Sequence, residues 1–87
     1  MQVRELRTFY YVYILESLSV PGHFYTGFTE NLHNRLDHHN SGSVPHTAKH
    51  RPWRVKTMLA FTDRGQALDF ERYLKTASGR AFAKKRL

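Results

Sequence analysis

The segment FYTGFTENLHNRLDHHN, residues 24–40, is typical of a β-strand followed by a helix, and it contains side chains suited to chemistry. Tyr25 lies in the expected strand, while Arg35 and His39 are four residues apart and share a face of the expected helix. A guanidinium can hold two phosphate oxygens and stabilise transition-state charge, and an imidazole can position or relay a proton. The pair therefore suits a phosphodiester, although a solvated helix face explains it better when it is taken alone.

A carboxylate lies on the apolar face of a second expected helix. Ala67, Phe70 and Leu74 form an apolar stripe at i, i+3 and i+7, and Glu71 falls on the same face at i+4. Burial of that charge is costly unless a cation or a metal ion compensates it. A glutamate at the edge of the stripe, reaching water or pairing with a nearby arginine, is the simpler interpretation of Glu71 alone.

Three tyrosines occupy expected strands, where tyrosine usually serves packing. Tyr11 and Tyr13 face the same side of their strand, and a hairpin could bring Tyr25 close to one of them. Paired hydroxyls can orient a water, and a phenol beside a cation loses its proton more easily than its reference pKa near ~10 suggests. Gly27 permits close approach of a backbone or a ligand. Four further histidines match no metal-ligand spacing and are interpreted as surface or phosphate-contacting groups: His33, His38, His46 and His50.

Strands that could position these residues are predicted from residue type and turn chemistry. The first is uncharged and expected to be buried on both faces, and the second follows closely enough to form an antiparallel hairpin with it. The three predicted strands span residues 9–15, 23–28 and 55–61.

Helices are predicted between and after the strands. Thr29 is expected to cap the first, which ends at 40–42, and residues 41–53 are expected to form a loop. Asp63 and Gln66 form a possible capping box for a helix from about 64 to 77, and a short basic helix is expected after Ser78 and Gly79. The order ββαβαα predicts an α/β (α+β) fold with a small, mainly antiparallel three-stranded sheet flanked by helices.

Length and charge restrict the function further. With 87 residues there is room for one core, which predicts an N-terminal extension at 1–8 and a single domain at 9–87. The chain has 14 Lys+Arg against 7 Asp+Glu, a net charge of +7. Two basic segments, at 46–56 and 72–87, favour nucleic-acid binding over the alternative of a merely soluble basic surface, although charge alone does not distinguish cutting from binding. The residues expected to contact nucleic acid are Lys49, Arg51, Arg54, Lys75, Arg80, Lys84 and Lys85.

The absence of cysteine excludes disulfides, thiolate metal ligands and a cysteine nucleophile. No apolar run approaches membrane-spanning length, and the first nine residues lack the apolar core of a signal peptide. We therefore expect a cytoplasmic protein without a membrane partner.

Several elements together resemble the motif series of the GIY-YIG nuclease superfamily. They are YVY at 11–13, YTG at 25–27, NRLDHHNSG at 34–42 and ALDFERYLK at 67–75, in the family's order. A segment RPW at 51–53 and a basic tail at 78–87 are similar to those of the short standalone proteins of the family. The resemblance covers about residues 9–87.

The resemblance implies a hydrolytic cut of a DNA strand and a role for five residues. Tyr13 and Tyr25 match the two motif tyrosines, one of which would activate or orient the attacking water. Arg35 matches the arginine that stabilises charge at phosphorus, and His39 the histidine one turn later. Glu71 matches the glutamate that holds one Mg²⁺ or Mn²⁺ ion, which neutralises the leaving 3′ oxygen.

The chain also departs from the family pattern. Tyr11 replaces the first motif's glycine, Thr26 is the middle residue of the second, and Phe28 stands where some members have lysine. A lysine base is thereby excluded at that position, and no family asparagine can be placed near the carboxyl end. Larger members draw target choice from attached domains, so a protein partner is one possible source of target choice here.

Three hypotheses follow. The leading one is a metal-dependent DNA endonuclease of DNA repair or processing, acting on branched, nicked or damaged DNA. The alternative is a non-catalytic nucleic-acid-binding module that kept the nuclease fold, which leaves the joint presence of Tyr13, Tyr25, Arg35 and Glu71 unexplained. A basic structural protein of a ribonucleoprotein fits the composition only.

Overall fold

A three-stranded antiparallel sheet forms the centre of the computed structural model, which describes residues 8–87. Its strands are β1 (Tyr10–Ser17), β2 (Phe24–Thr29) and β3 (Trp53–Phe61), in the spatial order β2-β1-β3. The register sets Tyr13 opposite Gly27 and Leu15 opposite Tyr25. The predicted hairpin and the predicted sheet are confirmed, and β2 lies at an edge.

Helices cover both faces of this sheet. They are α1 (Leu32–Ser41), α2 (Pro45–Ala48), α3 (Arg64–Leu74) and α4 (Ala77–Arg86). The predicted fold class and order are confirmed, with α2 as an addition inside the segment predicted to be a loop. Four residues are too few to show helical periodicity, which explains why the sequence does not predict α2. Within residues 8–87, no helix combines the length and apolar character needed to span a bilayer.

The start of α1 differs from the prediction. Asn31, not Thr29, is the N-cap, and its side-chain oxygen accepts a hydrogen bond from the Asn34 amide at 3.1 Å. The Thr29 hydroxyl instead accepts from the Asn31 amide at 3.1 Å and donates to the Asn31 carbonyl at 3.2 Å. The threonine therefore holds the turn that leads into the helix. The cap of α3 is as predicted, since Asp63 accepts from the Gln66 amide at 2.8 Å.

The boundary between α3 and α4 also lies earlier than expected. The Thr76 hydroxyl caps α4 by accepting from the Gly79 amide at 3.1 Å, so Ser78 and Gly79 belong to the first turn of α4. Glycine is required there because a Cβ at position 79 would overlap the backbone of Tyr73 and Leu74. The glycine marks close packing of two helices, not a break between them.

Two apolar clusters lie on opposite faces of β1. Val12 and Ile14 pack with Ala67 and Leu74 of α3. On the other face, Tyr13 and Leu15 pack with Trp53, beneath the partly buried leucines of α1. The prediction that β1 is buried on both faces is confirmed, and Tyr13 faces α1 and the segment that follows it. The predicted extension at 1–8 lies almost entirely outside the described residues.

Candidate active site

Tyr13 is fully buried, and its ring lies over the backbone of Gly27 on the neighbouring strand. A Cβ at position 27 would overlap the Tyr13 hydroxyl and the adjacent ring carbon, so only glycine leaves room for this ring. The hydroxyl oxygen lies 3.1 Å from Nε2 of His39, which is itself 1% exposed. The sheet and α1 thus meet in a buried phenol–imidazole contact that joins two of the predicted residues.

The other nitrogen of His39 also has a buried partner. Nδ1 lies 2.8 Å from the hydroxyl of Thr47 in α2, a residue that is 1% exposed. Sequence reasoning does not identify Thr47, because it belongs to a segment predicted to be a loop and no motif contains it. Its only local signal is its place between Pro45 and Pro52, which says nothing of the histidine eight residues earlier.

Burial changes the acid–base properties of both partners. Burial above all, reinforced by Tyr25 and opposed by Arg35, raises the pKa of Tyr13 to about 12. Burial, followed by the nearby charges of Arg35 and His38, lowers the pKa of His39 below its usual value. At neutral pH the site therefore holds a protonated phenol and a neutral imidazole. Arg35 is exposed, yet its charge lowers the pKa of both Tyr13 and His39.

Tyr25 completes an aromatic group around the imidazole. Its ring centroid lies 4.8 Å from that of His39 and 6.3 Å from that of Tyr13. Tyr25 is half-buried, and His46 lies near it with a centroid separation of 6.4 Å. The predicted proximity of Tyr25 to a tyrosine of β1 is found at Tyr13, whereas Tyr11 lies opposite Thr29, farther along the strand pair.

Glu71 lies at the edge of the apolar stripe and is close enough for its charge to raise the pKa of Tyr13, as the smallest of the contributing causes. Its side chain is 17% exposed, and its Oε2 lies 2.7 Å from the ammonium of Lys75. The expected compensating cation is present, but it is a lysine one turn along α3 and not an arginine. The carboxylate is therefore placed where a cation can be held.

A basic groove of about 770 Å³ runs between the sheet and the helices α3 and α4. Four cationic side chains line it, and no acidic residue of the described chain does: Lys56, Lys75, Arg80 and Lys84. Tyr25 and His46 line this groove and also a smaller one of about 540 Å³ that includes Lys49 and Thr47. The two grooves therefore adjoin the aromatic group around His39.

The remaining predicted cations do not gather at the grooves. Arg54 is paired with Glu16 of β1, with Nη2 and Oε1 2.9 Å apart, and lines neither groove. Arg51 is exposed and donates to the Ala48 carbonyl, and Lys85 projects from α4 without lining a groove. Conversely, Lys56 lines the basic groove but is not among the cations predicted to contact nucleic acid, while His46, interpreted as a surface or phosphate-contacting group, lines both grooves.

The fold and the site define a small α+β domain in which two tyrosines and a histidine contact one another beside the edge strand β2, while the charges of an arginine and a glutamate act on the buried tyrosine. The family model of the GIY-YIG catalytic domain matches residues 9–86, and the chain belongs to this family. Members of the family are endonucleases, and this membership supports the assignment of the chain as a nuclease.

Relatives of the chain fall into two groups. A UPF0213 protein of Lacticaseibacillus paracasei is 39% identical over 67 residues, which is 76% of this chain and 73% of the relative. A UPF0213 protein of Halalkalibacterium halodurans is 35% identical over 72 residues, covering 82% and 74% of the two chains. The structure-specific endonuclease subunit slx1 of Talaromyces marneffei is 35% identical over 74 residues, which is 78% of this chain but 19% of that protein.

Proposed function

We propose that this protein is a metal-dependent endonuclease that hydrolyses a phosphodiester bond of DNA. The observation that supports this function best is the buried 3.1 Å contact between the Tyr13 hydroxyl and His39 Nε2. The charges of Arg35 and Glu71 both act on this tyrosine. A phenol–imidazole pair beside a guanidinium and a carboxylate offers proton transfer, charge stabilisation and cation binding in one place. Packing alone would not require an imidazole at the tyrosine hydroxyl.

In the proposed reaction a water attacks phosphorus in line with the leaving 3′ oxygen. Because the pKa of Tyr13 is raised to about 12, its hydroxyl is not a preformed phenolate and acts instead as a relay. Because Tyr13 is fully buried, the water must reach its hydroxyl past the half-buried Tyr25 that lines the groove; Tyr13 then takes a proton from this water as its own proton passes to Nε2 of His39. The new O–P bond forms, the P–O3′ bond breaks, and the 3′ oxygen takes a proton from solvent. Arg35 stabilises the charge on the non-bridging oxygens.

The family implies one divalent ion, and the chemistry around Glu71 fits Mg²⁺ or Mn²⁺. Lys75 already shows that this carboxylate can hold a positive group, at 2.7 Å. Within residues 8–87 no group of three or more His, Cys, Asp or Glu could enclose a metal. A site of one carboxylate with waters and substrate phosphates suits Mg²⁺, whereas structural zinc needs four protein ligands. When bound, the ion supplies neutralisation of charge on the leaving oxygen.

DNA as the substrate is supported by charge and by the comparisons. The basic groove adjoins the site through Tyr25, so a strand held there would pass close to the reacting groups. The slx1 relative is named a structure-specific endonuclease subunit, and we carry this to the chain as a preference for branched, nicked or damaged DNA over intact duplex. A role in DNA repair or processing, a cytoplasmic location and a protein partner that assists target choice belong to the same proposal.

The first test is incubation of the purified protein with supercoiled plasmid in Mg²⁺, in Mn²⁺ or in EDTA. Cleavage that depends on the divalent ion is the expected result. The alternative function, a binding module without turnover, predicts retention of the plasmid on the protein with no cleavage under any of the three conditions.

Glu71→Gln tests the metal assignment, because it removes one charge and almost no volume. Cleavage should fall by about a hundredfold or more while DNA binding is kept. Since the ion pair with the half-exposed Lys75 is removed, the free energy of unfolding should change by less than about 1 kcal/mol. The matched control is Asp69→Asn, which removes an exposed carboxylate from the same helix, where it pairs with Arg72. Full cleavage by Glu71→Gln would contradict the metal role and most of the case for an enzyme.

A further inference from the structure

Thr47 is held by hydrogen bonds of its amide, its carbonyl and its hydroxyl. Its amide donates to the Val44 carbonyl at 3.0 Å, and its carbonyl accepts from the indole Nε1 of the buried Trp53 at 2.9 Å. Its hydroxyl lies 3.4 Å from the Val44 carbonyl and 2.8 Å from Nδ1 of His39. A buried threonine anchored in this way can hold a partner ring without moving itself.

The direction of the hydrogen bonds through this chain of groups depends on where the single hydroxyl proton of Thr47 points. A threonine hydroxyl has one proton, and a neutral imidazole has one donor and one acceptor nitrogen. If the threonine proton is directed to the Val44 carbonyl, its oxygen accepts from Nδ1–H, and Nε2 becomes the acceptor. Nε2 then faces the Tyr13 hydroxyl, 3.1 Å away, in the protonation state that can receive the phenolic proton.

We propose that Thr47 is a positioning residue for His39, which holds the imidazole as the Nδ1–H tautomer with Nε2 directed at the Tyr13 hydroxyl. The inference rests on the proposed function, because a fixed tautomer matters for turnover only if the relay from Tyr13 to His39 operates. Without Thr47 the ring keeps its aromatic neighbours but loses the group that distinguishes its two nitrogens.

Other charged or titratable groups around His39 do not replace this role. Arg35 and His38 act on it from its own helix through their charges. Tyr25 of β2 contacts the imidazole ring, and His46 of α2 lies near Tyr25. No hydrogen bond from any of these four residues to Nδ1 is found within residues 8–87, so Thr47 alone orients that nitrogen.

The test compares Thr47→Val, which replaces the hydroxyl by a methyl group, with Thr47→Ser, which keeps it. The control is Thr57→Val, since the Thr57 hydroxyl bonds the Leu87 carbonyl on the far side of the sheet. Two quantities are measured for each: the tautomer of His39 from its ring ¹⁵N chemical shifts, and kcat with KM for plasmid cleavage. Thermal melting confirms that each variant is folded.

We expect His39 of the parent protein to be the Nδ1–H tautomer and to become a mixture of tautomers in Thr47→Val. The kcat of that variant should fall about 10- to 100-fold with KM unchanged, while Thr47→Ser and Thr57→Val stay near the parent. An Nε2–H tautomer in the parent, or equal loss of kcat in the serine variant, would overturn the role of Thr47. If no variant cleaves DNA, the proposed nuclease function is overturned instead, and the ¹⁵N shifts still decide whether Thr47 sets the tautomer.

Discussion

At the scale of single residues, burial determines how each group of the candidate site can act. Here a fully buried phenol, Tyr13, meets the buried imidazole of His39. The raised pKa of Tyr13 and the lowered pKa of His39 both favour the neutral forms, so the contact carries no net charge near neutral pH. A neutral pair with one mobile proton suits a relay better than a permanent base.

The raised pKa of Tyr13 predicts a loss of stability at high pH. Its ordinary pKa is 10.0 and its folded value about 12, so the unfolded chain releases this proton first as the pH rises. Below pH 10 the neutral Tyr13 makes its full contribution to the free energy of unfolding, and this contribution is lost as the pH rises through about 12. The loss is at most about 3 kcal/mol. Tyr13→Phe should therefore lose less unfolding free energy than the parent protein between these pH values, as measured by urea denaturation.

The control for that experiment is Tyr73→Phe, because Tyr73 is 39% exposed and its ring lies beside Phe70 and Phe82, away from the candidate site. It should follow the parent protein at every pH. Tyr13→Phe should also lose most of its cleavage while keeping the aromatic ring. An identical alkaline loss of stability in the Tyr13 variant and its parent would contradict the burial of the hydroxyl as a neutral donor.

At the scale of the elements, β2 allows the site to form because it has no side chain at position 27. The Tyr13 ring crosses the edge strand at this glycine and so reaches the imidazole of α1. Close packing of this kind cannot adjust to an added methyl group without displacement of the ring.

Gly27→Ala should therefore cost about 1–3 kcal/mol of unfolding free energy and separate Tyr13 from His39. Cleavage should fall even in the fraction that remains folded, which can be tested by measuring turnover well below the melting temperature. Gly65→Ala serves as the comparison, since the added Cβ would meet only the side chain of Asp63, at 3.3 Å, in the exposed first turn of α3. A Gly27 variant with the stability and turnover of the parent would show that the ring does not depend on this glycine.

The elements also show which parts of the molecule could be predicted from the sequence. Residue type and turn signals are local properties, and they suffice for three strands, for the cap at Asp63 and for the glycine that ends α1. The prediction for Thr29 is wrong because two capping residues lie two positions apart, and only the backbone geometry decides between them. The resemblance to the family supplies five site residues, but Thr47 depends on an interaction between α1 and α2 that no local pattern contains.

At the scale of the whole molecule, a net charge of +7 is distributed unevenly with respect to the site. Cations of β3, α3 and α4 gather along one groove, where Lys75 is paired with Glu71, while cations elsewhere are also neutralised in ion pairs, as Arg54 is by Glu16. Position should therefore matter more than the total charge when the protein binds DNA, because only cations that contact phosphates displace condensed counterions.

Replacement of Lys56, Arg80 and Lys84 by glutamine should flatten the slope of log K for DNA against log salt by roughly two to three units, about one for each phosphate that is no longer neutralised. The matched control neutralises three cations that line neither groove, Arg54, Arg72 and Lys85, and so reaches the same net charge. Its slope should change by less than about one unit, because these side chains line neither groove. Binding isotherms of a short DNA duplex and of a branched DNA, taken at several salt concentrations, provide the slopes. If the slope flattened equally in both triple variants, DNA binding would depend on the overall charge of the protein, and the groove would not be the place where the strand is held.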